Sequence, residues 1–306
     1  MDIFQFQGLF LILAATTGYF LNNAESRKVS AFINVWINLP VLFFVTFLQN
    51  GFQVIEIKIF LAAIAYSIIM LVLALIITRN YEPSVRGSII INSLFMNTIN
   101  LPISILLAFG YAYSLSVAFA AYMTILRLPI LMFIENYLSR SKIKEVKVSG
   151  KRRINISRYL PIIAFLVGGG LHYAIPDVNS FLTSNLVNSI NLFIILIILY
   201  EFGYQLRGIV KDVTFTQLKG YFSPFVVIST SRLILSPILI YIVLLVLGIT
   251  SRQAIGQIMV TGLMSPAITN VVWSRLYEFD IRIVVLSTLI LTPICAVVAI
   301  TFLLLY

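Results

Sequence analysis

Apolar residues in this chain follow neither the period of two of a half-buried strand nor the one-sided stripe of a soluble amphipathic helix. They come in long runs, and the polar residues collect in short gaps between them. The runs are close to 20 residues, the length an α-helix needs to cross a bilayer. A transmembrane β-barrel would instead show segments of about 10 residues with alternating polarity. The pattern predicts ten spans, near 3–22, 29–49, 57–78, 86–110, 113–138, 158–175, 181–206, 222–247, 253–276 and 281–305. The longest gap, 139–157, divides them into five and five. The expected units are therefore 1–138, a linker loop at 139–157, and 158–306.

Composition narrows the class. Of 306 residues, 60% are hydrophobic and 10% charged, against about 25% charged in soluble domains. So little charge cannot cover the surface of a soluble fold of this size. A soluble enzyme, a disulfide scaffold and a disordered chain are excluded, and an all-α membrane protein remains. Cys295 is the sole cysteine and His172 the sole histidine. They supply neither a disulfide nor a zinc site, and no cofactor is expected.

The net charge of +10 is a topology signal rather than a nucleic-acid footprint. The central loop holds Arg140, Lys142, Lys144, Lys147, Lys151, Arg152 and Arg153, with Arg158 at its edge. Loops on the same side add Arg27, Lys28, Arg79, Arg86, Arg207, Lys211, Lys219, Arg275 and Arg282. Seventeen of the 21 basic residues thus mark one face, and Lys58 and Arg252 mark the other. The positive-inside rule makes the crowded face cytoplasmic and puts both termini outside. The expected location is the cell membrane.

Five spans per half give the halves opposite orientations, which predicts inverted repeats, a hallmark of secondary transporters. Proline spacing agrees: Pro102 to Pro129 and Pro266 to Pro293 are both 27 residues, at a shared offset of 164. Span 4 carries Asn92, Asn97, Thr98, Asn100 and Pro102. Span 9 carries Gln257, Thr261, Ser265, Pro266, Thr269 and Asn270. A mid-span proline removes a backbone donor, and nearby amides and hydroxyls can serve the freed carbonyls. Both spans are expected to break, with Pro102 and Pro266 each opening a second half-helix. The positive ends of those half-helices would meet near the midplane, where exposed N–H groups make an anion site. Asn97 and Asn100 would add neutral donors. The candidate binding residues are Asn97, Asn100, Pro102, Pro266 and Asn270.

The text of these spans is similar to a known family. Asn97-Thr98-Ile99-Asn100-Leu101-Pro102-Ile103 resembles the Asn-x-x-Asn-Leu-Pro stretch of PIN-likes proteins in the auxin efflux carrier family. Asn38-Leu39-Pro40-Val41-Leu42-Phe43-Phe44 resembles that family's second-span pattern. Pro266, Ser274-Arg275-Leu276-Tyr277, Asp280 and Leu291-Thr292-Pro293-Ile294 resemble its ninth and tenth spans. The resemblance covers nearly the whole chain. It implies ten helices in two inverted five-helix repeats, with helices 4 and 9 crossing at prolines. It also implies a scaffold of helices 1, 2, 6 and 7, a mobile transport unit of helices 3–5 and 8–10, and a homodimer formed through the scaffold. The implied activity is elevator-type export of small organic anions, auxin-like or other carboxylates. The chain departs from the family in its short central loop and in Met96 and Ile99, where glycines are common.

Ionisable groups inside a membrane are costly and therefore informative. Arg127 and Arg232 fall inside spans 5 and 8, and Glu201 inside span 7. Glu201 pairing with an arginine would be structural. An arginine drawing in an anion, or Glu201 taking up a proton, would be functional. A sodium- or proton-coupled organic-anion symporter of the bile-acid symporter type is the alternative reading. It would want a carboxylate at the crossing, and spans 4 and 9 have none there. A non-transporting receptor is a further alternative. No intramembrane catalytic motif is present, so an enzyme is not expected.

Overall fold

The computed structural model describes residues 13–21, 33–139, 160–175, 184–211 and 220–306. The central loop lies outside the described residues from 140 on, as do the predicted ends of several spans. Among the described residues the chain is helical, without a strand.

Among the described residues twelve helices follow in order. Residues 13–20 form α1. The π-helical stretch Asn34–Asn38 runs into Leu39–Asn50, and together they make α2. Then come α3 (Val54–Ile77), α4 (Pro83–Leu94), α5 (Asn100–Ala108) and α6 (Ser114–Ser139). After the central loop lie α7 (Leu160–Ala174) and α8 (Ser184–Lys211). The last four are α9 (Phe222–Val246), α10 (Arg252–Gly262), α11 (Thr269–Leu276) and α12 (Ile281–Leu305).

Among the described residues four helical stretches are long and apolar enough to cross a membrane: Val54–Ile77, Ser114–Leu138, Phe222–Val246 and Ile281–Leu305. They match predicted spans 3, 5, 8 and 10. Spans 4 and 9 are each broken into two short helices, α4/α5 and α10/α11. Pro129 and Pro293 lie inside α6 and α12 without ending them. Beside Pro293, the Thr292 hydroxyl donates to Thr288 O at 2.6 Å, returning one helix turn.

Glycines set the packing of the outer helices. A Cβ on Gly203 of α8 would lie 1.8 Å from Ala15 O of α1, and one on Gly18 of α1 would lie 1.8 Å from Tyr200 O of α8. A Cβ on Gly168 of α7 would lie 2.5 Å from Phe44 O of α2. So α1 seats on α8, and α2 on α7, at distances only a bare backbone permits. Gly169 faces the Phe52 ring, whereas Gly170 meets nothing. The run Gly168-Gly169-Gly170 is therefore a packing device over two of its three positions. His172 sits beside it, its ring nitrogen Nδ1 2.9 Å from Leu48 O. An aromatic cluster of Phe47, Phe52, Phe60, Tyr122 and Phe165 joins the α2–α7 pair to α3 and α6.

Contacts between helix ends define two ends of the bundle, one of them richer in arginine. At one end Asp280 N donates to Ser84 O, and Arg207 donates to Tyr19 O and Phe20 O. Arg79, Arg86, Arg275 and Arg282 are at this end, close to those contacts in the chain. At the other, Lys58 Nζ reaches Gly248 O at 3.4 Å, the Tyr173 hydroxyl bonds the Phe52 backbone, and Tyr111 reaches Leu303 O. Arg252 lies at this second end, over the Tyr306 ring.

Candidate functional site at the crossing of two broken helices

The breaks in spans 4 and 9 face each other. Met96 and Pro266 form an antiparallel bridge. Asn97 N donates to Ser265 O at 2.8 Å, and Ala267 N donates to Phe95 O at 2.9 Å. Each unwound segment thus satisfies backbone groups of the other, which is what exposed main chain at this depth requires.

The prolines do not play matching parts. Pro102 lies in the first turn of α5, two residues after its start. Pro266 lies in the extended stretch, three residues before α11 begins at Thr269. Proline opens the second half-helix in span 4 but not in span 9. The second half-helices start at Asn100 and Thr269, an offset of 169 and not 164. The shared proline spacing is therefore not the structural register of the two breaks. The physical reason is that the N–H missing at a proline interrupts the helix on either side of the bend, not at one fixed position.

The carbonyls at the ends of α4 and α10 are bonded by four buried side chains. Arg232 donates from Nε and Nη2 to Met264 O (3.1 and 2.6 Å) and from Nη2 to Gly262 O (3.1 Å). Its Nη1 donates to Tyr66 Oη (2.9 Å) and to Ser93 O (3.3 Å). Tyr66 donates onward to Leu94 O at 3.3 Å, and Ser236 donates to Gly262 O at 3.1 Å. All five guanidinium N–H donors are used. Asn270 does the same work at the other side of α4. Its Nδ2 lies 3.2 Å from Ile91 O, 2.9 Å from Phe95 O and 3.0 Å from Asn92 Oδ1. Asn92 in turn donates to Ser287 Oγ and Val284 O, tying α4 to α12.

The starts of α5 and α11 are less occupied. Asn97 Oδ1 accepts from Asn100 N at 3.1 Å, capping α5. Pro102 has no N–H, and Ile103 N is bonded to Ile99 O. The Leu101 amide is left over in that first turn. At α11, Asn270 N and Val271 N are bonded to Ala267 O and Ile268 O, and the Thr269 amide is left over. Asn100 is half-buried and keeps its carboxamide free of protein bonds among the described residues.

Arg127 stands beside this positive side of the crossing. Its Nη1 donates to Thr269 Oγ1 at 3.0 Å, and its guanidinium carbon lies 5.2 Å from the Phe95 ring centroid. Its Nε is buried without an acceptor. Among the described residues no carboxylate lies within ion-pair distance of Arg127 or Arg232, whereas Arg282 pairs with Asp280. Glu201, buried in α8, is therefore not the ion-pair partner of Arg127 or Arg232.

Of the sequence-predicted residues, the structure gathers Asn97, Asn100, Pro102, Pro266, Asn270, Arg127 and Arg232 at one place and leaves Glu201 elsewhere. Sequence reasoning missed Tyr66 and Ser236, a tyrosine and a serine in apolar runs with no local mark. It also missed Glu56 in the first turn of α3, which is 3% exposed with one carboxylate oxygen unpartnered. Two positions before Lys58, Glu56 reads as a solvated helix start. No protein-family model matches the chain, and no curated protein matches it.

Proposed function

We propose that this chain is a secondary transporter of small organic anions, working by alternating access with the anion held at the crossing. The observation that carries this reading is Arg127: a guanidinium with no acidic partner among the described residues, its buried Nε still unbonded, set against the first residue of a half-helix. A lone cation at such a place calls for a negative partner. The positive ends of α5 and α11 reinforce it. A carboxylate fits the guanidinium fork in two-point fashion, and the Phe95 ring gives an apolar neighbour for the rest of an auxin-like or other carboxylate.

Several features support the inverted-repeat and scaffold reading. The α1–α8 and α2–α7 pairs stand for spans 1 with 7 and 2 with 6, and a two-fold exchange of halves maps one pair onto the other. The broken helices cross between α3, α6, α9 and α12, the proposed moving part. The aromatic cluster around Phe165 would then be a sliding contact between the two parts. A homodimer through the scaffold and residence in the cell membrane complete the proposal; cysteine crosslinking of exposed α7 positions tests the first.

Transport itself is tested in liposomes. Saturable counterflow of a labelled carboxylic acid, chosen from a thermal-shift panel of indole, aromatic and dicarboxylic acids, is expected. No shift and no counterflow across that panel would sink the reading in favour of a receptor.

A further inference from the structure

Arg232 is the largest fully buried side chain among the described residues. It lies in a π-helical turn, Ser231–Leu235, inside α9. Such turns add a residue to a helix and recur at functional places. Here the turn accompanies a guanidinium that bonds the ends of two other helices.

Ser93 lies in the last turn of α4. Gly262 ends α10, and Met264 follows it. Their carbonyls are where two helix dipoles finish negative. Unwound carbonyls and half-helix C-termini inside a membrane are the groups with which transporters hold coupling cations. In this chain those groups are already bonded to a cation that cannot leave, because it is covalently tethered to α9. Its five bonds exhaust its donors, so it has none left for a substrate. The two arginines therefore divide the work. Arg232 balances the negative ends of α4 and α10, and Arg127 with the starts of α5 and α11 is left unbalanced for an anion.

We propose that Arg232 is a built-in counter-cation occupying the position of a coupling metal cation, so that the crossing needs neither Na⁺ nor K⁺ to hold its shape. This deepens the transporter reading, but its test does not require a substrate.

The test is thermal unfolding of purified protein in NaCl, KCl or N-methylglucamine chloride at one ionic strength. The native chain is expected to unfold at the same temperature, within a degree or so, in all three. Specific stabilisation of the native chain by Na⁺ or K⁺ overturns the proposal. Arg232→Ala opens the place, and its unfolding temperature is expected to fall and then recover by several degrees with millimolar methylguanidinium, and to a lesser extent with Na⁺, by mass action. An Arg232→Ala protein that folds but ignores every cation also overturns it. If that variant does not fold, Arg232→Lys keeps a tethered cation and is expected to fold and remain indifferent to Na⁺. A lysine variant that gains stability from Na⁺ overturns it. A carboxylic-acid panel run on the native chain reads the transporter proposal separately: acids without effect sink that reading and leave the cation result standing.

Discussion

Asn270 donates to the side-chain oxygen of Asn92 at 3.0 Å, and both residues are wholly buried. That single contact ties the second broken helix to the first, and Asn92 carries the tie on to α12. Asn270→Ala would leave the buried Asn92 Oδ1 without its donor, while Ile91 O and Phe95 O each lose one of two donors and keep Phe95 N and Ala267 N. The expected cost is about 2 kcal/mol, since one buried amide oxygen left unbonded is penalised in full. Unfolding followed in detergent checks it. An unchanged midpoint would mean Asn270 is not holding the crossing.

Arg127→Gln removes the unpartnered cation while keeping a donor for Thr269. The fold is expected to survive, because the arginine has one protein hydrogen bond to lose. Carboxylate binding is expected to fall at least tenfold. Arg127→Lys keeps charge but not the planar fork and should bind weakly as well. Isothermal titration with the best acid of the panel decides; native affinity in both variants would remove Arg127 from the site.

Asn97 separates two roles in one residue. Asn97→Asp retains the oxygen that caps α5, so stability should hold. It also places a negative charge at the anion's position, so binding should be lost. Asn97→Ala loses the cap at about 1 kcal/mol. Comparing melting midpoint with ligand shift for the pair distinguishes a cap from a binding group.

Gly203→Ala would drive a methyl group to within 1.8 Å of Ala15 O. Either α1 or α8 must move away. A lower melting midpoint and faster proteolysis near the N-terminus are expected, with an unchanged ligand response in the protein that remains folded.

Glu56→Gln replaces a buried carboxyl by a neutral group of the same shape. An ionised carboxylate without a partner is costly in such surroundings. Stability at neutral pH is expected to rise by about 1 kcal/mol, read as a higher melting midpoint. A clear loss would show that Glu56 holds a partner through its charge.

Hydropathy made the long helices legible because a membrane helix satisfies its own backbone and needs only twenty apolar residues to declare itself. The breaks were legible too, from prolines set among amides. The division of labour at the crossing was not. Asn270 reaches Asn92 and Phe95, and Arg232 reaches Ser93, across more than 130 positions of chain. Local text cannot say whether an asparagine's donors will face a ligand or a helix end. The same gap separates Arg127 from Arg232: both read as lone arginines in apolar runs, and only the count of their bonds tells them apart. The proline spacing misled for a related reason, because equal spacing in sequence does not fix which side of a bend a proline occupies.

The two unwound segments are joined main chain to main chain, from Asn97 to Ser265 and from Phe95 to Ala267. Backbone joints place little demand on the side chains they carry. Thr98 and Ile99 can therefore be exchanged by mutation while the crossing persists, whereas Met96 is core and Ser265 Oγ accepts from the Thr292 hydroxyl. A crossing built this way can change the side chains beside the proposed anion site in small steps without first losing its architecture, and a mutant library confined to Thr98 and Ile99 is a natural place to look for altered ligand preference.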